Sequence, residues 1–165
     1  MPAVPFGSLP ASARVWIFAA DHPLTGDPAA QLLAHVDEYL AHWQAHGHPL
    51  TCAREWRHDR FLAIAVDQTD AFASGCSIDG LFRALQSLQK SLGTTLVGGA
   101  RVHYRDAGGA IQAVTRDQFS ALGATGGIDD HTPVFDSTVA TAGEWRERFE
   151  TELGRAWHKE LVRSS

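Results

Sequence analysis

The sequence predicts an α+β fold, with a ferredoxin-like split β-α-β-β-α-β sheet, an added hairpin and a C-terminal helix. Short apolar runs rich in β-branched and aromatic residues predict strands, and apolar residues spaced by three and four predict amphipathic helices. The segments follow one another in the order of a split β-α-β unit. The chain has 165 residues, 44% of them hydrophobic, which is enough to bury a core. We predict one domain over residues 1–165, with residues 1–13 as an extended N-terminal segment.

The first strand and the first helix follow from the pattern of residues 14–47. Residues 14–20 are nearly all apolar and predict a buried strand. Asp27 is placed to cap a helix that has Pro28 at its first position, and Gly47 ends that helix. Helical spacing defines the apolar face of this helix, which consists of Leu32, Val36, Tyr39, Leu40 and Trp43.

A hairpin and a second helix come next along the chain. Residues 51–57 and 60–67 are extended runs separated by two polar residues, and the second run is apolar enough to be a central strand. The second helix begins near Ile78 and ends at Gly93, a residue typical of helix C-termini. Its apolar face also contains Leu81, Phe82, Leu85, Leu88 and Leu92.

The last third of the chain supplies the fourth strand and the additions. Residues 101–105 predict the fourth strand of the sheet and form the added hairpin with residues 111–115, which a short helix at 117–122 follows. Thr141 and Glu144 have the spacing of a capping box. Apolar residues then repeat every four positions and predict one continuous C-terminal helix, with the face Trp145, Phe149, Leu153 and Trp157.

The charge and the cysteine content indicate which classes of partner and which cellular compartment to expect. The net charge is -5 and Lys and Arg form no run, which argues against nucleic acid or an anionic membrane surface as the partner. A small molecule or a protein is the expected partner, and the oligomeric state stays open. No apolar stretch is long enough to cross a membrane, and two cysteines imply no disulfide framework, so we predict a cytoplasmic protein. No cofactor is indicated, since the Walker loop that would hold a nucleotide is absent.

The run Ser74-Gly75-Cys76-Ser77 puts a cysteine at the start of the second helix. Backbone N–H groups and the helix dipole at that position favour a thiolate, and Gly75 permits the tight turn before the helix. Ser74, Gly75 and Ser77 are therefore candidate ligand-binding residues beside a candidate catalytic Cys76. The alternative is structural, because a free cysteine is often a small apolar filler in a protein interior.

A cysteine nucleophile needs a base, and the base needs an acid to orient it. His46, at the end of the first predicted helix, and His158, in the C-terminal one, are the candidate bases. Asp67 ends the central strand and Asp79 falls in the first turn of the second helix, so either can be the orienting acid. Their alternative roles are a turn residue for Asp67 and a dipole-compensating acid for Asp79.

A pair of histidines raises the question of a metal site. His42 and His46 lie four residues apart on one predicted helix face, the spacing with which two imidazoles reach one ion. The glutamate of an H-E-x-x-H motif is absent, and no third ligand is spaced to complete the site. A solvated helix end is the better interpretation, and we predict no metal.

Five short stretches carry a family resemblance: V-W-I-F at 15–18, W-x-x-H-G at 43–47, R-F-L-A-I-A-V-D-Q at 60–68, S-G-C-S-I-D at 74–79 and W-H at 157–158. With them, most of the chain resembles a family of uncharacterised bacterial proteins of similar length, common in Bacteroidetes-type genomes and often labelled "ABC transporter ATPase". Without a Walker motif, that label implies no ATPase activity. The resemblance implies that several candidate residues fall together on motif positions, namely Trp43, His46, Gly47, Asp67, Gln68, Gly75, Cys76, Asp79, Trp157 and His158.

Three function hypotheses follow. In the first, the protein is a thiol-dependent enzyme or redox protein with Cys76 as nucleophile or redox centre, and Trp43, Gln68 and Trp157 contribute to ligand binding. In the second, it is a non-catalytic module that binds an anionic small molecule or a partner's carboxylate at the same helix N-terminus. In the third, exposed Trp and Phe residues form a protein-interaction surface. The predicted fold does not choose among them, since it supports all three functions.

Overall fold

The computed structural model of the protein describes residues 3–69, 73–97 and 100–163. They form two units, the first with the described residues up to Val97 and Ala140–Trp145, the second with Ala100–Val139 and the residues from Arg146 onward. The first unit therefore consists of two separate stretches of the chain. The prediction of one domain stays a prediction. The predicted mixture of α-helices and antiparallel β-sheets is confirmed.

The first unit contains a three-stranded antiparallel sheet. Its strands are β1 (Arg14–Ala19), β4 (Thr51–Arg57) and β5 (Phe61–Asp67), in the order β1-β5-β4. Every residue of β5 from Phe61 to Val66 is buried, because this strand has a partner on each edge and is covered on both faces. The predicted hairpin and its central strand are therefore confirmed.

The free edge of β1 is met by a segment from late in the chain. The Val15 amide donates to the Ala140 carbonyl over 2.8 Å, and Arg14 pairs with Thr141 as an isolated antiparallel bridge. The prediction that residues 101–105 form the fourth strand of this sheet is wrong. That strand forms as β6 (Val102–Arg105), but its two edges are paired within another sheet.

Two helices of the first unit pack their apolar faces into one core with the sheet. They are α1 (Gly26–Ala41) and α2 (Gly75–Leu92), and α2 ends at Gly93 with φ 67°. The N-cap of α1 is Thr25 rather than the predicted Asp27, so Pro28 lies inside the first turn, where its missing N–H breaks no helical hydrogen bond. The fully buried residues of this core on the helices are Leu32, Val36, Leu40, Leu81 and Leu85.

The first helix is shorter than predicted, because a small hairpin replaces its last turns. Strands β2 (Gln44–Ala45) and β3 (His48–Pro49) pair antiparallel, and the turn between them has φ 52° at His46 and φ 78° at Gly47. Positive φ at both central residues is the conformation of a two-residue hairpin turn, which a helix cannot contain. His42 and His46 therefore do not share a helix face, and the spacing argument for a metal pair does not apply.

The N-terminal segment is described from Ala3 onward, and Met1 and Pro2 lie outside the described residues. The Val4 amide donates to the Cys52 carbonyl over 2.9 Å, beside a parallel bridge between Ala3 and Cys52. A single 3-10 turn at Phe6–Ser8 interrupts the extended conformation predicted for residues 1–13.

The second unit contains a four-stranded sheet and its own core. With β6, its strands are β7 (Ile111–Val114), β8 (Pro133–Phe135) and β9 (Glu150–Glu152), in the order β7-β6-β8-β9. Helix α3 (Arg116–Thr125) follows β7 and begins with a capping box at Thr115. The predicted second hairpin and the helix after it are confirmed. The core of this unit comprises Val102, Tyr104, Phe119, Ile128, Val134, Leu153 and Ala156.

The long C-terminal helix predicted from the four-residue repeat is wrong beyond its first turns. Helix α4 (Ala142–Arg148) begins at the predicted capping residue, where the Glu144 amide donates to Thr141 Oγ1 over 3.2 Å. The chain then forms β9, a 3-10 turn at Leu153–Arg155 and α5 (Lys159–Arg163). Strand β9 uses its backbone to pair with β8, so these residues cannot continue a helix even though Phe149 and Leu153 are buried as the repeat requires.

Candidate functional site

A groove of about 730 Å³ runs between α1 and α2 in the first unit. This volume lies in the range of pockets that hold small molecules. Its walls mix apolar side chains with imidazoles, hydroxyls and one thiol, contributed by His35, Val36, Glu38, Tyr39, His42, Trp43, Gln44, His46, Ser74, Cys76, Ser77, Leu81, Ala84, Leu85 and Leu88. The groove therefore combines a ligand-sized space with groups able to do chemistry.

The thiol of Cys76 is exposed at one end of this groove. Helix α2 begins at Gly75, so Cys76 is its second residue. Ser74 Oγ accepts a hydrogen bond from the Ser77 amide over 3.1 Å, and Ser77 Oγ donates to the Ser74 carbonyl over 2.8 Å. The amides of Gly75 and Cys76 have no acceptor within the helix, and the positive end of the helix dipole faces the thiol.

Trp43 ties the end of α1 to the start of α2. Its indole is 3% exposed, and Nε1 donates to the Ser77 carbonyl over 3.0 Å in a buried hydrogen bond. The Trp16 ring meets it edge-on at 6.4 Å, and Tyr39 packs against it at 6.2 Å. This bond and these contacts fix the Cys76 end of the groove relative to the hairpin that follows α1.

His46 lines the groove from a position of positive φ in the β2–β3 turn. A φ of 52° belongs to the left-handed region, where histidine, like asparagine and aspartate, is found more often than most residues other than glycine. His58 has a similar φ of 57° in the β4–β5 turn but is not among the residues that line the groove. The positive φ is therefore a property of the tight turn, and the turn's position brings the His46 imidazole to the groove.

Two further imidazoles line the groove from α1. His35 Nδ1 bonds the Gln31 carbonyl over 2.8 Å and His42 Nδ1 bonds the Glu38 carbonyl over 3.1 Å. A carbonyl oxygen can only accept, so each Nδ1 carries the proton and the Nε2 of a neutral ring is left as an acceptor. The two residues are seven apart, a rise of about 10.5 Å along one helix face. The Nδ1 bonds thus fix the orientation of two imidazoles, one on α1 and one at its C-cap.

Tyr39 lies between these histidines in sequence and approaches α2 closely. A Cβ atom built on Gly80 of α2 would lie 2.7 Å from the Tyr39 hydroxyl, so a larger residue there would force the Tyr39 side chain to move. Burial raises the pKa of Tyr39, and the charge of Arg83 partly opposes that rise. The hydroxyl therefore stays protonated at neutral pH and can donate a hydrogen bond.

Among the predicted site residues, the groove brings together Cys76, His46, Ser74, Ser77 and Trp43. Gly75, Asp67, Gln68 and Asp79 are not among its lining residues. Asp67 Oδ1 accepts from the Thr69 amide over 3.0 Å and from its hydroxyl over 2.6 Å, and these hydrogen bonds lower the pKa of Asp67. Asp79 is exposed and is the fifth residue of α2, so its predicted place in the first turn is wrong.

His158 and Trp157 belong to the second unit. His158 is 1% exposed, its ring stacks on Trp157 at 4.1 Å, and it meets Phe119 edge-on at 6.0 Å. Burial lowers the pKa of His158 to about 4. Its Nδ1 and the Trp157 Nε1 are buried without a hydrogen-bond partner in the described part of the chain. A buried, neutral imidazole of this kind is a core residue and a weak base at neutral pH.

The sequence did not predict most of the groove residues contributed by α1 and its C-cap. It places Tyr39 on the apolar helix face and considers His42 only as part of a metal pair. It gives His35 no role. The signal was present in the spacing of His35, Tyr39 and His42, which are four and three residues apart and share a helix face beside the apolar stripe. Among residues 3–69, 73–97 and 100–163, no three His, Cys, Asp or Glu side chains are grouped to hold a metal ion.

Comparison with protein-family models, with curated proteins and with solved structures finds no match to this chain. The family resemblance carried by the S-G-C-S-I-D stretch therefore stays a prediction. Within the described ranges, no helix has both the length and the apolar character needed to span a bilayer.

The two cysteines are expected to differ sharply in accessibility. Cys76 is exposed, whereas Cys52 is fully buried, its Sγ donates to the Leu40 carbonyl over 3.5 Å, and burial raises its pKa to about 12. Titration with a disulfide reagent such as DTNB should therefore modify one thiol in the native protein and both in denaturant. The variant Cys76→Ser should show no native reaction. Native modification of both thiols in the wild-type protein would contradict the described burial of Cys52.

Proposed function

We propose that the protein is a small thiol-dependent enzyme or redox protein that binds a small molecule in the α1–α2 groove and uses Cys76 as its reactive group. One observation carries the proposal: the exposed Cys76 thiol, at the start of α2, and the imidazole of His46 line the same ligand-sized groove. A nucleophile and a base that share a pocket are the minimum that cysteine catalysis requires.

The roles of the surrounding residues follow from their positions. The N-terminal amides of α2 stabilise negative charge on sulfur or on an oxygen beside it. His46 is the proposed base, because its imidazole lines the same groove as Cys76. In the first step the Cys76 proton passes to His46 and the sulfur electron pair attacks an electrophilic atom of the ligand. Trp43 and the Ser74–Ser77 cap hold the start of α2 in place for this step.

The reactivity of Cys76 tests this proposal. At pH 7, iodoacetamide should alkylate Cys76 in the native protein at least about tenfold faster than in the unfolded chain, because His46 accepts the proton and the α2 amides stabilise the charge that develops on sulfur during attack. His46→Asn should remove most of that advantage while keeping the turn, since asparagine tolerates positive φ. The matched control is His58→Asn, which makes the same change in the β4–β5 turn and should leave the rate unchanged. A native rate no faster than the unfolded one would reject a catalytic Cys76.

The second candidate is a non-catalytic module that binds an anionic small molecule or a partner's carboxylate at the same helix N-terminus. The position of the α2 N-terminus at the groove supports this candidate. The first amides of α2 can bind an anionic group whether or not the Cys76 sulfur reacts. Cys76→Ser separates the two candidates. Binding that survives this substitution, together with an unreactive native thiol, would favour the module.

We also propose the finer statements on fold and location. The order β1-β5-β4, with β5 antiparallel to both neighbours, supports a split β-α-β-β-α arrangement of ferredoxin-like type, without its fourth strand. Two unpaired thiols, one of them exposed, favour a reducing compartment such as the cytoplasm. The net charge of -5 favours partners other than nucleic acid or anionic membranes.

A further inference from the structure

The two ends of the α1–α2 groove differ in chemistry. Along α2 its lining runs from Ser74 to Leu88, a rise of about 21 Å. The Trp43 indole meets Ser77, and the Tyr39 hydroxyl meets Gly80, so α1 runs back along α2 from the Cys76 end. The groove is therefore elongated, with Cys76 at one end and Leu88 at the other.

The far half of the groove is lined mainly by aliphatic side chains. On α2 the half-buried Ala84 and Leu88, about two and three turns beyond Cys76, line this end, whereas the core residues Val36, Leu81 and Leu85 reach it with almost no exposed surface. Exposed polar side chains at this end, His35 and Glu38, come from α1. Such a lining favours an apolar ligand segment along α2.

The near half offers hydrogen-bond donors. The amides of Gly75 and Cys76 have no acceptor within α2, and the dipole of this helix, which runs from Gly75 to Leu92, attracts an electron-rich oxygen. The protonated Tyr39 hydroxyl lies one turn further along the groove. A carbonyl or carboxylate oxygen fits this end, and an aliphatic chain fits the other.

We infer that the ligand is a linear acyl compound, with its carbonyl at Cys76 and its aliphatic chain along Ala84 and Leu88. This inference rests on the proposed function of the groove and names its substrate class. With an acyl ester, the Cys76 proton passes to His46 and sulfur bonds to the carbonyl carbon. The carbon–oxygen bond to the alcohol then breaks, the alkoxide leaves with a proton, and a thioester of Cys76 remains.

Two probes test the inference. Decanoate should protect Cys76 from iodoacetamide, whereas acetate should not. 4-Nitrophenyl decanoate should release nitrophenolate in a burst equal to the Cys76 content, at a rate at least about tenfold above that of 4-nitrophenyl acetate. Equal rates for the two esters together with no protection by decanoate would overturn the acyl-chain inference and leave the reactive thiol standing. Calorimetric binding of decanoate to a protein with an unreactive Cys76 would support the acyl site and reject the thiol function.

Matched variants locate the chain within the groove. Ala84→Phe fills the aliphatic half and should abolish both protection by decanoate and the preference for the longer ester. Ser87→Phe adds the same ring on an exposed position of α2 that does not line the groove, and should change neither. Equal effects of the two variants would overturn the proposed chain path. Protection of Cys76 that rises with protein concentration without decanoate would show that a second copy fills the groove, and would also overturn it.

Discussion

Trp43→Ala is expected to lower the free energy of unfolding by about 3–5 kcal/mol, the cost typical of truncating a buried tryptophan. The indole is 3% exposed, so its removal leaves a cavity in the core of the first unit. The Ser77 carbonyl also loses the 3.0 Å hydrogen bond from Nε1 in a buried site. Urea denaturation followed by circular dichroism measures the loss.

The same variant is expected to disturb the groove, because Trp43 joins its two walls at the Cys76 end. The rate at which iodoacetamide alkylates Cys76 in the native protein, relative to the unfolded chain, should therefore fall in Trp43→Ala. Trp43→Phe keeps most of the packing and removes the hydrogen bond, so it should cost less than the alanine variant. Trp56→Ala serves as control, since it truncates a half-buried indole on β4 of the same unit. A smaller loss for Trp43→Ala than for Trp56→Ala would contradict the role assigned to Trp43.

Acid is expected to destabilise the protein through His158. Burial lowers the pKa of this residue to about 4, with Asp136 opposing the shift and Arg116 and His103 adding to it. The unfolded chain takes up the proton near pH 6.5, so between these values it binds more protons than the folded protein. The contribution is complete above pH 6.5 and is lost as the pH falls towards 4. The loss amounts to about 2 kcal/mol at pH 5 and about 3 kcal/mol at pH 4.

His158→Phe should remove this loss. Phenylalanine keeps a ring against Phe119 and Trp157 but has neither a titrating nitrogen nor the unpartnered Nδ1, so the variant should be near wild-type stability at pH 7. At pH 5 it should be more stable than wild type by about 2 kcal/mol in urea denaturation. His48→Gln, a change at an exposed histidine, is the control for histidine content. An identical acid sensitivity in wild type and His158→Phe would rule out His158 as its source.

His158→Phe also separates the two candidate bases for Cys76, His46 and His158. Since His158 is sealed in the core of the second unit, His158→Phe should leave the alkylation rate of Cys76 unchanged at pH 7. His46→Asn should lower that rate. A lower rate in His158→Phe together with an unchanged rate in His46→Asn would identify His158 as the base.

The parts of the structure decided by neighbouring residues were predictable from sequence. The end of α2 follows from Gly93, which is visible in the string of residues, whereas its start at Gly75, after the N-cap Ser74, lies three residues before the predicted Ile78. The strand Phe61–Asp67 is apolar and buried from Phe61 to Val66 because it is central. The four-residue repeat of apolar residues from Trp145 to Trp157 wrongly predicted one helix. These residues belong to several short elements and happen to lie four positions apart, a spacing for which a helix is the simplest interpretation.

The groove itself could not be predicted, because it depends on how α1 meets α2. The contacts of Trp43 with Ser77 and of Tyr39 with Gly80 join residues more than thirty positions apart. His46 was selected as a base from its place at a predicted helix end, yet it reaches the groove through a hairpin turn. The role of His46 as a base stays a prediction, and the helix-end position predicted for it is wrong.

The pairing of Ala140 and Thr141 with the edge of β1 has a consequence for synthesis of the protein. A ribosome completes all three strands of the first sheet more than seventy residues before it adds the segment that meets this edge. During that interval β1 presents unpaired amides and carbonyls to other chains, a known starting point for aggregation. The nascent protein is thus most exposed to mispairing after its first core can form, and closure of the sheet awaits the synthesis of Ala140 and Thr141.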